Sequence, residues 1–288
     1  MPWNFERVAS PFTFTEGPVW TGEVVLFTDI PNSRIMRYDP ATGNCDLFRA
    51  DTNEANGLHL DHHGDLYACE GGGRRIVRYE RDGATTVIAD RYEGHRLNSP
   101  NDLTSDAQGR IWFTDPRYGP ERDDMELDHQ SVYRLDPPTA SAGAGNWAIV
   151  RVTFDTTRPN GLVLSPDGET LYVAESPPAP DGARQLRAYP VNPDGSLGAM
   201  RVLHDFGAHR GIDGMRTDAA GNIVAACGWT ESGTGPRVAV FAPDGTVLDE
   251  HPTPTNPTNC VFGDADHRAL YVTGYDGCLY RARTDRQG

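Results

Sequence analysis

The sequence predicts an all-β fold: a six-bladed β-propeller of four-stranded antiparallel blades, closed into a ring by an N-terminal strand. Three observations predict it. Glycine and proline number 31 and 22 among 288 residues, far too many for a helical bundle. A polar residue leading into a short apolar strand recurs six times, at intervals of 40, 45, 59, 53 and 46 residues. Each interval holds about four short strands, the length of a propeller blade rather than of a helical repeat.

The units begin at Glu16-Gly-Pro-Val-Trp, Asn56-Gly-Leu-His-Leu-Asp, Asn101-Asp-Leu-Thr-Ser-Asp, Asn160-Gly-Leu-Val-Leu-Ser, Asp213-Gly-Met-Arg-Thr-Asp and Asn259-Cys-Val-Phe-Gly-Asp. Most continue through a turn at glycine (Gly64, Gly109, Gly168 and Gly221) into an apolar second strand such as Ile111-Trp-Phe-Thr114 or Leu171-Tyr-Val-Ala174. An alternating third strand follows, as in Ile76-Val-Arg-Tyr79 and Val132-Tyr-Arg-Leu135, and a short fourth strand closes most units. The last unit has room for only three strands before Gly288, so residues 3–10 supply its outer strand. That pairing joins the first and last blades and leaves no open edge. The whole chain, 1–288, reads as one domain. Two units are longer than the rest, and segments 120–130 and 176–184 fall in loops, where they are tolerated surface insertions or a lid over one end of the channel.

All 26 basic residues are arginine, set against 41 acidic ones for a formal charge of −15. Without lysine there is no Schiff-base chemistry and no P-loop. The acidic excess argues against nucleic acid or an anionic membrane as a partner, and much of it recurs at blade turns, as at Asp61, Asp106, Asp167 and Asp218. The opening residues lack the basic and apolar regions of a signal peptide, and the five cysteines include no CxxC pair, which together predict a reduced, cytoplasmic protein.

In a propeller the first strand of every blade lines the central channel, so Glu16, Asn56, Asn101, Asn160, Asp213 and Asn259 are expected to converge on the axis. Each alone could simply shape a turn. Six carboxylates and amides in phase suit a hard divalent cation, with Glu16 and Asp213 balancing its charge. Glu175, Glu70, Asp115 and Asp29 end second strands near the channel opening, where they shape substrate polarity or bond turn amides. Tyr118 and Trp229 follow second strands at the same end, and His59, His95 and His209 are weaker candidates. Residues 143–148 imitate a GxGxxA fingerprint but precede a strand, so a loop is expected.

The segments Phe14-Thr-Glu-Gly-Pro-Val-Trp20, Asn98-Ser-Pro-Asn-Asp-Leu103, Trp112-Phe-Thr-Asp-Pro116, Pro159-Asn-Gly-Leu-Val-Leu-Ser-Pro-Asp167 and Ile212-Asp-Gly-Met215 resemble the gluconolactonase / senescence-marker-protein-30 / luciferin-regenerating-enzyme family, across essentially the whole chain. The resemblance implies a metal-dependent lactonase with one divalent ion held by Glu16, Asn160 and Asp213. It places Asn101 against substrate or, as in phosphotriesterase-type relatives, on the metal as well. Two departures change the expected pocket: Ser99 stands where sugar-lactonase members carry arginine, and Gly71 in Cys69-Glu-Gly-Gly-Gly-Arg-Arg75 stands where bacterial members often carry histidine.

The expected reaction is metal-assisted hydrolysis of a small lactone. The cation polarises the carbonyl, Asp213 is the general base and Asn101 orients carbonyl or water, both being read as catalytic. Ser99, Asn56, Tyr118, Glu175 and Asn259 are the expected substrate contacts. Calcium is the first choice on ligand hardness, with zinc, manganese, magnesium and ferrous iron as alternatives. Two other readings keep the same site: a phosphotriesterase or fluorophosphatase, and a non-enzymatic binding propeller with a structural ion.

Overall fold

The computed structural model describes residues 2–118, 122–138, 147–177 and 182–288. Residues 120–121 and 178–181 of the two expected loop insertions, and 143–146 of the GxGxxA segment, lie outside the described residues. Among the described residues, six four-stranded antiparallel sheets follow one another along the chain, with two one-turn 3-10 helices. No helix of the described residues is long and apolar enough to cross a membrane.

The first strands of the blades are Thr15–Trp20, Ala55–Leu60, Leu103–Ser105, Pro159–Leu164, Ile212–Thr217 and Pro257–Gly263. Each touches the first strands of both neighbouring blades, so the six ring one axis. The strand Glu6–Ala9 pairs antiparallel with Leu279–Arg283 and is the outer strand of the sixth blade, as expected. A two-stranded hairpin, Arg91–Tyr92 with His95–Arg96, is inserted before the third blade.

The apolar second strands are explained by burial on both faces. In Val25–Asp29, Leu26 packs into the interface with the second blade, whereas Val25 and Phe27 pack into the interface with the sixth. The same division gives six apolar clusters, one at each interface between neighbouring blades. The fold therefore has no single central core. Its stability is spread around the ring, and the axis is left to polar side chains.

Candidate functional site

At one end of the channel the first strands are not regular. Pairing with the second strand slips by one residue between Glu16 and Val19, Ala55 and Leu58, Pro159 and Leu162, Ile212 and Met215, and Pro257 and Cys260. A bulge re-aims the side chain at its extra residue. Here it brings Glu16, Asn56, Asn160 and Asp213 into one cavity of about 810 Å³, with Asn101 from the loop before the third blade's first strand.

The register also corrects one expectation. Counting from the paired residues, the sixth-blade equivalent of Glu16 is Thr258, and Asn259 falls one residue further along the strand. Thr258 is occupied with its surroundings: Oγ1 donates to Thr15 O at 2.7 Å and lies 2.8 Å from Thr273 Oγ1. Asn259 shares its position with Gly17, Gly57, Asp102, Gly161 and Gly214. The glycines leave the room that the two side chains use, since a Cβ on Gly214 would stand 2.1 Å from Asn259 Cγ and one on Gly57 2.7 Å from Asp102 Oδ1. Asn259 and Asp102 form a second polar layer behind the cavity floor and do not line the cavity.

On the floor, Asp213 is held from two sides. Asn160 Nδ2 donates to Oδ1 at 2.7 Å, and Arg210 donates to Oδ2 in a close ion pair. Glu16 Oε2 accepts from Gly17 N and, at 3.0 Å, from Asn259 Nδ2. Burial, and then the charges of Asp213 and Asp102, push the Glu16 carboxyl well above its usual range. Burial also raises Asp213, against the pull of Arg210, and raises Asp102, against that of Arg216. Two crowded acids, Glu16 and Asp213, thus face one narrow space, with Asp102 behind them. Asn101, only 7% exposed, carries a side-chain amide with no hydrogen bond among the described residues.

Ser99 and Tyr118 also border the cavity. Ser99 Oγ donates to Pro116 O at 2.7 Å and accepts from Tyr118 N at 2.9 Å, so the hydroxyl shapes the loop that carries Tyr118. Arg158 lies over the Tyr118 ring, 5.1 Å from its centroid. Burial and the Asp213 charge raise the Tyr118 phenol, which keeps it protonated. Gly71 lines the opposite wall, where an added Cβ would meet nothing nearer than 3.5 Å.

Glu175 is placed elsewhere. It is buried, its Oε1 accepts from Thr157 N at 2.9 Å and Arg158 N at 2.7 Å, and its Oε2 pairs with Arg187. Asp29 holds Thr13 N and Phe14 N in the same way, and Asp115 holds Asn98 N. In blades one, three and four these second-strand carboxylates clamp the segment that enters the first strand, because a turn's free amides need acceptors. Trp229 packs on Arg210 and Tyr275. His59 bonds Ser105 Oγ at 2.7 Å, further along the channel strands, and neither it nor His95 or His209 lines the cavity.

Six arginines that the sequence did not single out line the cavity: Arg74, Arg96, Arg117, Arg158, Arg184 and Arg210. The available signal was position, since Arg158 and Arg210 lie two and three residues ahead of Asn160 and Asp213.

A family model for the SMP-30/Gluconolactonase/LRE-like region matches residues 14–275. The chain is 30% identical to a gluconolactonase of Zymomonas mobilis, over 97% of this chain and 81% of that protein. It is 29% identical to a 6-deoxy-6-sulfogluconolactonase of Pseudomonas putida, over 98% and 94%. Among solved structures, a gluconolactonase from Xanthomonas campestris superposes with a TM-score of 0.84 at 33% identity, covering 98% of this chain and 89% of that one.

Proposed function

The chain belongs to the SMP-30/gluconolactonase/LRE-like family, and from that premise we propose that it hydrolyses a small lactone with the help of one divalent cation. One observation carries the reading: Glu16, Asn101, Asn160 and Asp213 meet on the floor of a single cavity.

The donor set fits a hard cation. Among the described residues no three His, Cys, Asp or Glu side chains converge as ligands, so the ion would rest on the carboxylates of Glu16 and Asp213 and the amide oxygens of Asn160 and Asn101. Crowding of Glu16 with Asp213 and Asp102 is relieved by positive charge at that point. Calcium suits an all-oxygen set best. A bound cation would supply Lewis acidity to the lactone carbonyl.

The chain's own residues do the rest. Asp213 takes the proton of the attacking water at a carboxylate oxygen. Arg210 and Asn160 hold that carboxylate in place. The Asn101 amide orients the carbonyl, and the protonated Tyr118 hydroxyl donates to a lactone oxygen. Asn56 contacts the ring on the side facing blade two.

Lactone opening by the purified protein, followed by acid release, is expected to stop on chelation and return with added calcium, manganese or zinc. Failure to open aldonolactones and simple γ- and δ-lactones with every one of these cations would overturn the reading.

A further inference from the structure

We propose that the lactone taken by this cavity carries a hydrocarbon substituent of a few carbons, which lies against a wall built by blades one and six. This rests on the lactonase reading and narrows its substrate class. Apart from Glu16 on the floor, blades one and six line the cavity only with Phe14, Ile30, Pro31 and Tyr275 among the described residues. None of these four side chains is charged. The charged side chains of the remaining walls come from blades two, three and four, with Arg210 at the entry to blade five. The cavity is therefore two-sided, with an apolar wall facing a polar one.

The apolar wall is fixed by its own bonds. Asp29 Oδ1 accepts from Phe14 N at 3.3 Å, and its Oδ2 accepts from Asn32 Nδ2 at 2.9 Å. Ile30 N donates to Phe14 O at 3.1 Å, which ties the turn Ile30–Asn32 to Phe14. From blade six, the Tyr275 ring meets the Phe14 ring edge to face, with 4.5 Å between centroids. Trp229, which does not line the cavity, packs on Tyr275 at 5.0 Å. Arg210 lies over both of those rings, and its guanidinium is already committed to Asp213 and Gly228 O.

Facing water, such a wall is unfavourable. Tyr275 is 45% exposed, Pro31 is exposed, and Phe14 and Ile30 are half-buried. Hydrocarbon laid over this surface releases the water held against it. A fully hydroxylated ring gains little, because a hydroxyl facing Ile30 or Pro31 gives up water and finds no side-chain donor or acceptor there. Phe14 precedes Glu16 by two residues, at most about 7 Å of extended chain. A substituent a few bonds removed from a carbonyl on the floor therefore reaches the wall.

The test uses the cation-loaded protein and three probes: δ-hexalactone and δ-octalactone, whose substituents are methyl and propyl, and D-glucono-1,5-lactone. From methyl to propyl, kcat/KM is expected to rise about tenfold, or about threefold per methylene covered on one side. Tyr275→Ala and Ile30→Asn are each expected to cut that rise to about threefold or less, through KM more than kcat. Tyr275→Phe is expected to keep it, because the ring and not the hydroxyl makes the contact. The two positions belong to different blades, so one variant keeps the test readable if the other does not fold. No rise in the parent, a rise unmoved by both Y275A and I30N, or a rise lost in Y275F as fully as in Y275A overturns this proposal and leaves lactone hydrolysis standing. Opening of D-glucono-1,5-lactone alone has the same meaning. No opening of any probe with cation present overturns both.

Discussion

Asn259 Nδ2 donates to Glu16 Oε2 at 3.0 Å, from a blade that the ring places next to the first only because the chain closes on itself. The amide has a fixed orientation, since its Oδ1 accepts from Cys260 N at 2.8 Å. The same Nδ2 lies 3.3 Å from Asp102 Oδ2. One amide therefore stands between two buried carboxylates and holds the nearer one towards the cavity.

Asn259→Ala is expected to weaken cation binding by about tenfold or more, as loss of a partner that orients a ligand does. Isothermal titration of the metal-free protein with calcium or manganese measures it. An unchanged dissociation constant in a folded variant would show that Gly17 N alone is enough to position Glu16.

Glu16→Gln separates charge from shape. Without cation, removing a buried charge that faces Asp213 and Asp102 is expected to hold or raise the melting temperature. With saturating cation the variant is expected to lose most of the stabilisation that binding gives the parent. Paired thermal melts with and without metal give both numbers, and equal metal-dependent shifts in the two proteins would remove Glu16 from the ligand set.

Ser99→Ala deletes two hydrogen bonds that set the path of residues 116–118. A cost of about 1–2 kcal/mol in urea unfolding is expected, from a carbonyl and an amide left without their partner. KM should rise as Tyr118 loses its fixed place. A variant with normal stability and altered kcat alone would instead mark the hydroxyl as a direct contact.

His59 sets a dependence on acid. Burial, and then the charge of Arg216, lower its value from 6.5 to about 4. The folded state keeps the imidazole neutral while the unfolded chain takes up a proton below about 6.5, so the folded state is fully favoured above that pH. Stability falls as pH drops from there towards 4. His59→Gln is expected to flatten this limb in melts from pH 7.5 to 4.5, and superimposable curves would show that other groups carry the acid sensitivity.

The architecture was legible because a propeller repeats itself: six polar-then-apolar starts, each with its turns, leave one way to bury six sheets on both faces. The floor of the cavity was legible for the same reason, with Glu16, Asn56, Asn101, Asn160 and Asp213 all in phase. Asn259 was misplaced by one residue because bulges add a residue without leaving a mark in an apolar strand, and Thr258-Asn259 reads equally well in either register. Glu175 was misread because a carboxylate at a strand end suits both substrate and turn amides, and only the positions of Thr157 N and Arg158 N decide. The arginines went unseen because five come from loops and Arg96 from an inserted hairpin, whose course depends on the blades that hold them.

The six interfaces between blades have a mechanical consequence. An open row of six modules has five contacts and two exposed end faces, and thermal disorder starts at the ends. Pairing Glu6–Ala9 with Leu279–Arg283 turns the row into a hoop, with a sixth contact and no end face. Glu16 and Asn259 lie on either side of that seam. The geometry of the cavity floor is therefore complete only while the hoop is shut, and a chain caught midway through folding would own every residue of the site without yet owning the site.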